Sequence, residues 1–317
     1  MILTVTMNPS MDYIYFVEDF KLDGHNRVEN PTQMIGGKGI NSGRVSATLG
    51  SDVFLTGFLG GNTGNLIKDE LLDEAIYSDI SFVNHKDSNR NAITIMHNKG
   101  KQTELVEKGI QINKEDYHNL LVMIFGILLE HPEIKIICLS GSANYKDSIY
   151  VDLINDIKAI KHFKYLKFIT DISGNKLKCL IESNTEVELI KPNISELGDI
   201  VGKELITKLD VIDTLKELSL ENIKTVMVSC GGNGAVIKHN NKIYDVNIPK
   251  VKIVNTTGSG DSTVGGFAYA IDKNFNFIDS IKLSMACGIS NALNKGVGEI
   301  EKEQVLKLID KIKINEI

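Results

Sequence analysis

Short runs of almost wholly apolar residues recur along the chain, separated by longer stretches with amphipathic periodicity. Continuous apolar runs are typical of central parallel strands that are covered on both faces. We predict strands at residues 2–6, 53–58, 134–140, 166–171, 187–191, 225–229 and 252–254. Helices are predicted between them, notably at 114–129, 148–161 and 208–221. This alternation predicts a doubly wound α/β fold, with a mostly parallel sheet flanked by helices.

Two regions break this rhythm. Residues 13–34 and 79–106 lack long helical periodicity and alternate more like antiparallel strands, notably 91–97 and 102–106 around a turn at 98–100. We predict that these insertions, with bounds of about 11–35 and 79–107, form one small β-sheet lid. The lid then belongs to a single domain that spans residues 1–317.

Composition narrows the class of protein. A formal net charge of −6 gives no attraction to nucleic acid or to an anionic membrane surface. The opening MILTVTMNPS lacks the basic flank and apolar core of a signal peptide, and no apolar run approaches the ~20 residues of a membrane span. Widely spaced cysteines in apolar stretches favour reduced thiols in the cytoplasm and no transition-metal site; they are Cys138, Cys179, Cys230 and Cys287.

The string VNTTGSGDST at residues 254–263 is the most specific chemical signal. Glycines let backbone N–H groups turn inward, and a helix start adds unpaired donors and a positive dipole end. The loop Gly258-Ser259-Gly260 therefore predicts an anion hole suited to phosphate oxygens, and Asp261 beside it can accept a hydroxyl proton. The alternative is a tight turn in which Asp261 only caps the helix.

Known nucleotide-binding strings are absent. The sequence contains no Walker-type loop, and residues 2–6 are not followed by the glycine-rich turn of a dinucleotide site. Instead, GGKGIN at 36–41 opens a predicted helix that runs through Leu49. Asp12 and Asn41 offer hydrogen-bonding groups for sugar hydroxyls, with Lys38 a cation among backbone donors. The alternative is a simple strand-to-helix turn with Lys38 on the surface.

Together these strings resemble a known family. GGKGIN at 36–41 and NTTGSGD at 255–261 are similar to the two signatures of the ribokinase-like carbohydrate kinases, the PfkB family. TMNPSMD at 6–12 resembles the branch that holds 1-phosphofructokinase and tagatose-6-phosphate kinase. Further matches lie at 139–142, 190–196 and 228–234, so the resemblance extends from Met1 to about Gly298.

The resemblance implies an ATP- and Mg²⁺-dependent kinase of a ketohexose phosphate, namely fructose 1-phosphate, fructose 6-phosphate or tagatose 6-phosphate. It makes Asp261 the catalytic base, with Gly258, Ser259 and Gly260 as the anion hole. The implied nucleotide-side residues are Lys191, Asn193, Glu196, Ser229, Gly231, Gly232, Gly234, Asn255 and Asn291, of which Asn193 and Glu196 organise Mg²⁺ mainly through water. The implied substrate residues are Asp12, Gly37, Lys38, Asn41 and Arg90, with Lys38 and Arg90 on the substrate's phosphate. The resemblance further implies a homodimer joined through the lid.

Two segments depart from the family pattern on the sugar side. TELVEKG at 103–109 lacks the usual Glu-Pro-Gly ending, and Ala143-Asn144 replaces Leu-Pro. These departures leave the identity of the substrate open, but not phosphoryl transfer. Two other functions are alternatives: a kinase of an unphosphorylated sugar or nucleoside, and a non-catalytic protein that responds to nucleotide and sugar. Single residues also have plainer interpretations, since Asn193 and Glu196 could only begin a helix and Arg90 could be a solvated surface residue.

Overall fold

The computed structural model describes residues 1–98 and 101–317. Its strands are β1 Ile2–Thr6, β2 Ser10–Val17, β3 Thr32–Gly36, β4 Val53–Gly60, β5 Asp79–Ile80, β6 Val83–His85, β7 Arg90–His97, β8 Lys101–Val106, β9 Ile136–Ser140, β10 Lys167–Asp171, β11 Leu189–Ile190, β12 Thr225–Ser229, β13 Ala235–His239, β14 Lys242–Asn247 and β15 Lys313–Glu316. Its helices are α1 Lys38–Leu49, α2 Gly61–Glu74, α3 Lys114–Glu130, α4 Ile149–Ala159, α5 Gly174–Glu182, α6 Ile194–Val201, α7 Lys208–Glu217, α8 Ser259–Asp272, α9 Phe277–Leu293 and α10 Lys302–Ile309.

The large sheet has the order β15-β14-β13-β12-β11-β10-β9-β1-β4-β5, and β6 also pairs with β4. Neighbours from β12 to β5 are parallel, whereas β13, β14 and β15 extend one edge in antiparallel fashion. The predicted doubly wound, mostly parallel α/β fold is confirmed. The apolar runs form central strands because an apolar cluster covers each face of the sheet.

One predicted strand is wrong. Residues 252–254 form no strand; Ile253 and Val254 are more than half exposed in the segment that leads to the 255–261 loop. The place beside β12 is taken instead by the hairpin β13–β14, which the sequence analysis did not predict.

Close packing of α8 against α1 places the start of α8 at the carboxyl edge of the sheet. Helix α8 packs between α1 and α9, and Gly265 allows the close approach, because a Cβ there would lie 2.3 Å from the Ser42 carbonyl oxygen. Buried aromatic and aliphatic side chains such as Phe267 and Ile281 fill the space behind it. Among the helices of the described residues, none is long and apolar enough to cross a membrane.

A separate four-stranded sheet has the order β3-β2-β7-β8, with β2 and β7 parallel. It combines two distant parts of the sequence, as predicted. The second part begins at Arg90, because residues 79–80 and 83–85 pair with β4 in the large sheet. That is a correction to the predicted bound of about 79. The predicted turn at 98–100 lies partly outside the described residues.

Candidate active site

The parallel strands end along one edge of the large sheet, and the chemically distinctive residues gather there. Asp171 ends β10, Lys191 follows β11 directly, and Ser229 ends β12. Helices α1 and α8 both begin at this edge, which brings the two motif loops together from opposite ends of the chain. Crevices at the carboxyl ends of parallel strands are the usual ligand sites of open α/β sheets.

Asp261 lies in the first turn of α8 and is 8% exposed. The side-chain amide Nδ2 of Asn41 donates a hydrogen bond of 2.8 Å to Asp261 Oδ2. Helix α8 is capped by Gly258 without a side-chain hydrogen bond, so Asp261 does not serve as its cap. Burial, followed by the negative charge of Asp171, raises the pKa of Asp261 to about 6, against opposing effects of Asn41, Lys38 and Lys191.

The loop before Asp261 is tightly built. Gly258 has a φ of 79°, and a Cβ at this position would lie 2.5 Å from Val297 Cγ1, so only glycine fits without a shift. The Ser259 amide donates to the Thr256 carbonyl oxygen at 3.2 Å. Among the hydrogen bonds of the described residues, none occupies the amides of Gly258, Gly260 and Asp261. These three N–H groups can therefore receive an anion.

Two residues that the resemblance assigned to the nucleotide support this loop through their side chains. Asn291 is fully buried; its Nδ2 donates to the Thr257 carbonyl oxygen at 2.8 Å, and its Oδ1 accepts from the Gly298 amide at 2.8 Å. The Oδ1 atom of Asn255 accepts from the Thr257 amide at 3.0 Å. The side chains of both asparagines thus fix the shape of this loop.

Asp171 joins two lysines next to Asp261. Its Oδ1 lies 3.2 Å from Lys38 Nζ and 3.6 Å from Lys191 Nζ, while its buried Oδ2 has no hydrogen-bond partner in the structure. Burial opposes the charge on Lys38, but Asp171, Asp261 and Glu196 together raise the pKa of its ammonium group. Lys38 is therefore no simple surface lysine. The Lys191 ammonium lies against Gly260, 3.0 Å from where a Cβ would stand.

Asp171 was missed by the sequence analysis. A carboxylate at the carboxyl end of a predicted central strand was the signal that could have found it.

Asn193 and Glu196 form a capping box at the start of α6, with reciprocal bonds of 2.8 Å between backbone amides and side-chain oxygens. The pair therefore does begin a helix, whether or not it also has a role towards Mg²⁺. Among the described residues, no three His, Cys, Asp or Glu side chains are grouped so as to hold a metal ion directly. The Glu196 carboxylate oxygen outside the capping box remains available. It fits a Mg²⁺ ion that keeps its hydration shell, because Mg²⁺ loses water reluctantly.

The 231–234 turn stands beside that capping box. The Ser229 amide donates to the Pro192 carbonyl oxygen at 3.0 Å, which ties the end of β12 to the start of α6. Side chains added at Gly231 or Gly232 would meet open space, so both glycines are exposed. Gly234 differs, because a Cβ there would lie 2.1 Å from the Val246 carbonyl oxygen.

The small sheet brings a carboxylate and a guanidinium to the other side of the crevice. Asp12 accepts from Ser10 Oγ at 2.6 Å, and Arg90 pairs in register with Ser10 on the neighbouring strand. Burial raises the pKa of Asp12, against the opposing charge of Arg90. Burial also lowers the pKa of Arg90, whose Nε is buried without a partner. Gly37, with a φ of 136°, links this sheet to α1 and Lys38.

The two departures from the family pattern contact each other. Asn144 Nδ2 donates to the carbonyl oxygens of Lys108 and Ile110 at 2.6 and 3.0 Å. Asn8 Nδ2 donates to the same Lys108 oxygen at 2.9 Å, while its Oδ1 is buried without a partner. Both changed segments therefore act as one unit, since the side chain at 144 holds the backbone at 108–110.

A mostly parallel sheet with a small separate sheet, and a buried carboxylate beside helix-start amides, define the class of ribokinase-like kinases. The chain belongs to the pfkB family of carbohydrate kinases, whose sequence model matches residues 5–304.

Individual relatives cover the chain along its whole length. It is 35% identical over 327 aligned residues to a tagatose-6-phosphate kinase of Staphylococcus epidermidis, with 100% of both chains covered. Phosphofructokinase-2 of Escherichia coli, solved in complex with potassium, is similar with a TM-score of 0.85, 28% identity and 98% of each chain covered. The same enzyme in complex with fructose-6-phosphate gives a TM-score of 0.83 and 26% identity, again with 98% of each chain covered.

Proposed function

We propose that this protein transfers the γ-phosphoryl group of ATP to a hydroxyl of a ketohexose phosphate. The observation that carries the proposal is the buried Asp261 carboxylate beside three open backbone amides. Such a pair supplies a proton acceptor and an anion hole within one helix start. Support for the substrate class comes from the named activity of the S. epidermidis relative and from the fructose-6-phosphate complex of the E. coli enzyme.

In this mechanism Asp261 accepts the proton of the attacking hydroxyl group. The amides of Gly258, Gly260 and Asp261 stabilise the negative charge on the transferred phosphoryl oxygens. Lys191, whose ammonium lies against Gly260, and Lys38 add positive charge on the same side. Mg²⁺ bound with ATP would neutralise further phosphate charge, held by Asn193 and Glu196 through water. Positioning of the two substrates supplies much of the remaining rate enhancement.

The two substrates occupy opposite halves of the crevice. ATP lies along the edge that carries Lys191, Ser229 and the 231–234 turn, with its γ-phosphate at the start of α8. The sugar phosphate lies between the large and small sheets, where Asp12 and Gly37 face its hydroxyls and Arg90 and Lys38 face its phosphate. Closure of the small sheet over the sugar would exclude water, whose attack would consume ATP without product.

A substrate screen tests this proposal. ADP release is measured with tagatose 6-phosphate, fructose 6-phosphate and fructose 1-phosphate, and with free fructose, ribose and adenosine as comparators. We expect turnover only with phosphorylated ketohexoses, and ³¹P NMR of the product then identifies the carbon that is phosphorylated. Turnover confined to the unphosphorylated compounds would contradict the proposed substrate class. No turnover with any compound would contradict the proposed kinase activity.

The pH dependence should report the protonation of Asp261. Because burial and Asp171 raise its pKa to about 6, the carboxylate loses its ability to accept a proton as the pH falls through that value. We expect kcat/KM to fall about tenfold for each pH unit below about 6. ATP and sugar phosphate also titrate in this range, so residual activity of Asp261→Asn is the control. An unchanged acidic limb in that variant would assign the effect to the substrates.

The small sheet should join two subunits. All residues of β8 are exposed, and Phe16 and Val106 are 63% and 54% exposed on the face that also carries Asp12. A small sheet with an open edge and an uncovered apolar face gains stability from a second copy. We expect light scattering to give a homodimer at micromolar concentration and Phe16→Asp to give monomers. A monodisperse wild-type monomer would contradict this arrangement.

A further inference from the structure

Arg44 lies behind the catalytic carboxylate and does not reach the crevice itself. It extends from α1, and its side chain is 15% exposed. The Nε and Nη2 atoms donate to the Glu74 carboxylate at distances of 2.6–3.1 Å, and Tyr77 donates to the same carboxylate at 2.6 Å. This bidentate contact holds the guanidinium plane in one orientation.

The remaining nitrogen of Arg44 points towards Asn41. Nη1 donates to Asn41 Oδ1 at 3.1 Å and to the Val297 carbonyl oxygen at 3.0 Å. The opposite end of the same amide, Asn41 Nδ2, donates to Asp261 Oδ2 at 2.8 Å. A guanidinium has only donors, so it can face the oxygen end of the amide but not its nitrogen end. The reversed amide would place two donors against each other and two acceptors against each other.

We propose that Arg44 is a positioning residue, which fixes the Asn41 amide so that its NH₂ group donates to the catalytic carboxylate. Glu74 and Tyr77 hold Arg44, Arg44 holds Asn41, and Asn41 holds Asp261. Glu74, Tyr77 and Arg44 need not touch either substrate. This inference rests on the proposed role of Asp261 and assigns a function to a buried ion pair that the mechanism does not otherwise use.

The consequence is a defined protonation behaviour of Asp261. A hydrogen bond donated to the carboxylate favours its charged form, and a reversed amide would present an oxygen instead. The other charged groups that act on Asp261 are Asp171, Lys38 and Lys191, and the hydrogen bonds of Arg44 go to Glu74, Asn41 and Val297 rather than to any of them. Loss of Arg44 should therefore raise the pKa of Asp261 above its value of about 6 in the wild-type protein.

The test is a double-mutant cycle read by NMR. The ¹³C resonance of the Asp261 carboxyl group, assigned by its loss in Asp261→Asn, is titrated in the unliganded wild type, Arg44→Met, Asn41→Ala and the double variant. We expect each single change to raise the pKa by about one unit, the effect of one charge-assisted hydrogen bond. Adding Arg44→Met to Asn41→Ala should then raise it by no more than about 0.3 unit, because the amide through which Arg44 acts is absent.

Two results would overturn the proposal. Equal shifts from Arg44→Met with and without Asn41 would show that the guanidinium acts by its charge alone, and no shift in either background would show that it does not act on Asp261. If Arg44→Met fails to fold, Arg44→Lys retains a cation for Glu74 but lacks the fork that also reaches Asn41, and a rise in the same direction is expected. The titration needs no turnover, so it stands apart from the outcome of the substrate screen.

Discussion

Asp261→Asn should lower kcat by about 10²–10⁴-fold while leaving the affinity for ATP nearly unchanged. The amide keeps the shape of the carboxyl group but cannot accept a proton from the attacking hydroxyl. The amides of Gly258 and Gly260 and the ammonium of Lys191 remain to bind phosphate. Steady-state kinetics with the preferred sugar phosphate and an equilibrium titration with an ATP analogue measure the two quantities separately.

Thermal melting separates this loss of activity from a loss of fold. The folded-state pKa of Asp261 is raised to about 6, so the ionised carboxylate disfavours the folded state. That unfavourable contribution grows as the pH rises above the ordinary carboxyl pKa and is complete above about 6. At pH 8 the melting temperature of Asp261→Asn should therefore be no lower than that of the wild type. A variant that retains wild-type kcat would remove Asp261 from the mechanism, whereas a much lower melting temperature would contradict the electrostatic argument.

The sequence predicted the central part of the fold because both faces of the sheet are covered. That arrangement requires continuous apolar strands, and the runs at 2–6, 53–58 and 166–171 stand out for this reason. The antiparallel edge formed by β13, β14 and β15 gives a weaker signal, since β14 and β15 carry exposed polar residues. Residues 252–254 show the opposite failure, because a short apolar run can equally lie exposed beside a loop.

The site was predictable where a motif is local and less so where the fold assembles it. The 255–261 loop carries its own chemistry in consecutive residues, and the structure shows how it is built. Arg44 looks like an ordinary charged residue in sequence, and only its position at the end of a predicted strand distinguishes Asp171. Asp171 acts together with Lys191, which directly follows the next strand. Arg44 contacts its near neighbour Asn41, but the group that Asn41 contacts, Asp261, is far away in sequence. No periodicity or spacing records such pairings.

The proposed phosphorylated substrate would require local cations, because the chain carries a formal net charge of −6. Arg90 is the candidate on the small sheet, with a buried Nε that has no partner in the structure. Lys38 is the candidate at the start of α1, where it lies 3.2 Å from Asp171 and close to Asp261. Arg90 extends from a strand of the small sheet and Lys38 from the start of α1, and they have different partners, so their kinetic effects should differ.

Arg90→Ala should raise KM for the sugar phosphate about ten- to a hundredfold, with little change in KM for ATP. The reason is the loss of charge-assisted hydrogen bonds of ~1.5–3 kcal/mol from a group that we propose contacts only the sugar phosphate. Lys38→Ala should also raise KM for the sugar phosphate, and it should lower kcat because it removes positive charge beside Asp261 and Asp171. The double variant should lose its preference for phosphorylated over free ketohexose.

Initial rates over a grid of both substrate concentrations separate these effects. Lys135→Ala is the matched control, because it removes an exposed lysine that precedes β9, at the opposite edge of the large sheet from the site. It should change neither KM nor kcat by more than about twofold, in keeping with a surface substitution. If Arg90→Ala and Lys38→Ala behave like this control, the phosphate is bound elsewhere. A kinase with Asp261 as its base would survive that result, but its assignment to ketohexose phosphates would lose its structural basis.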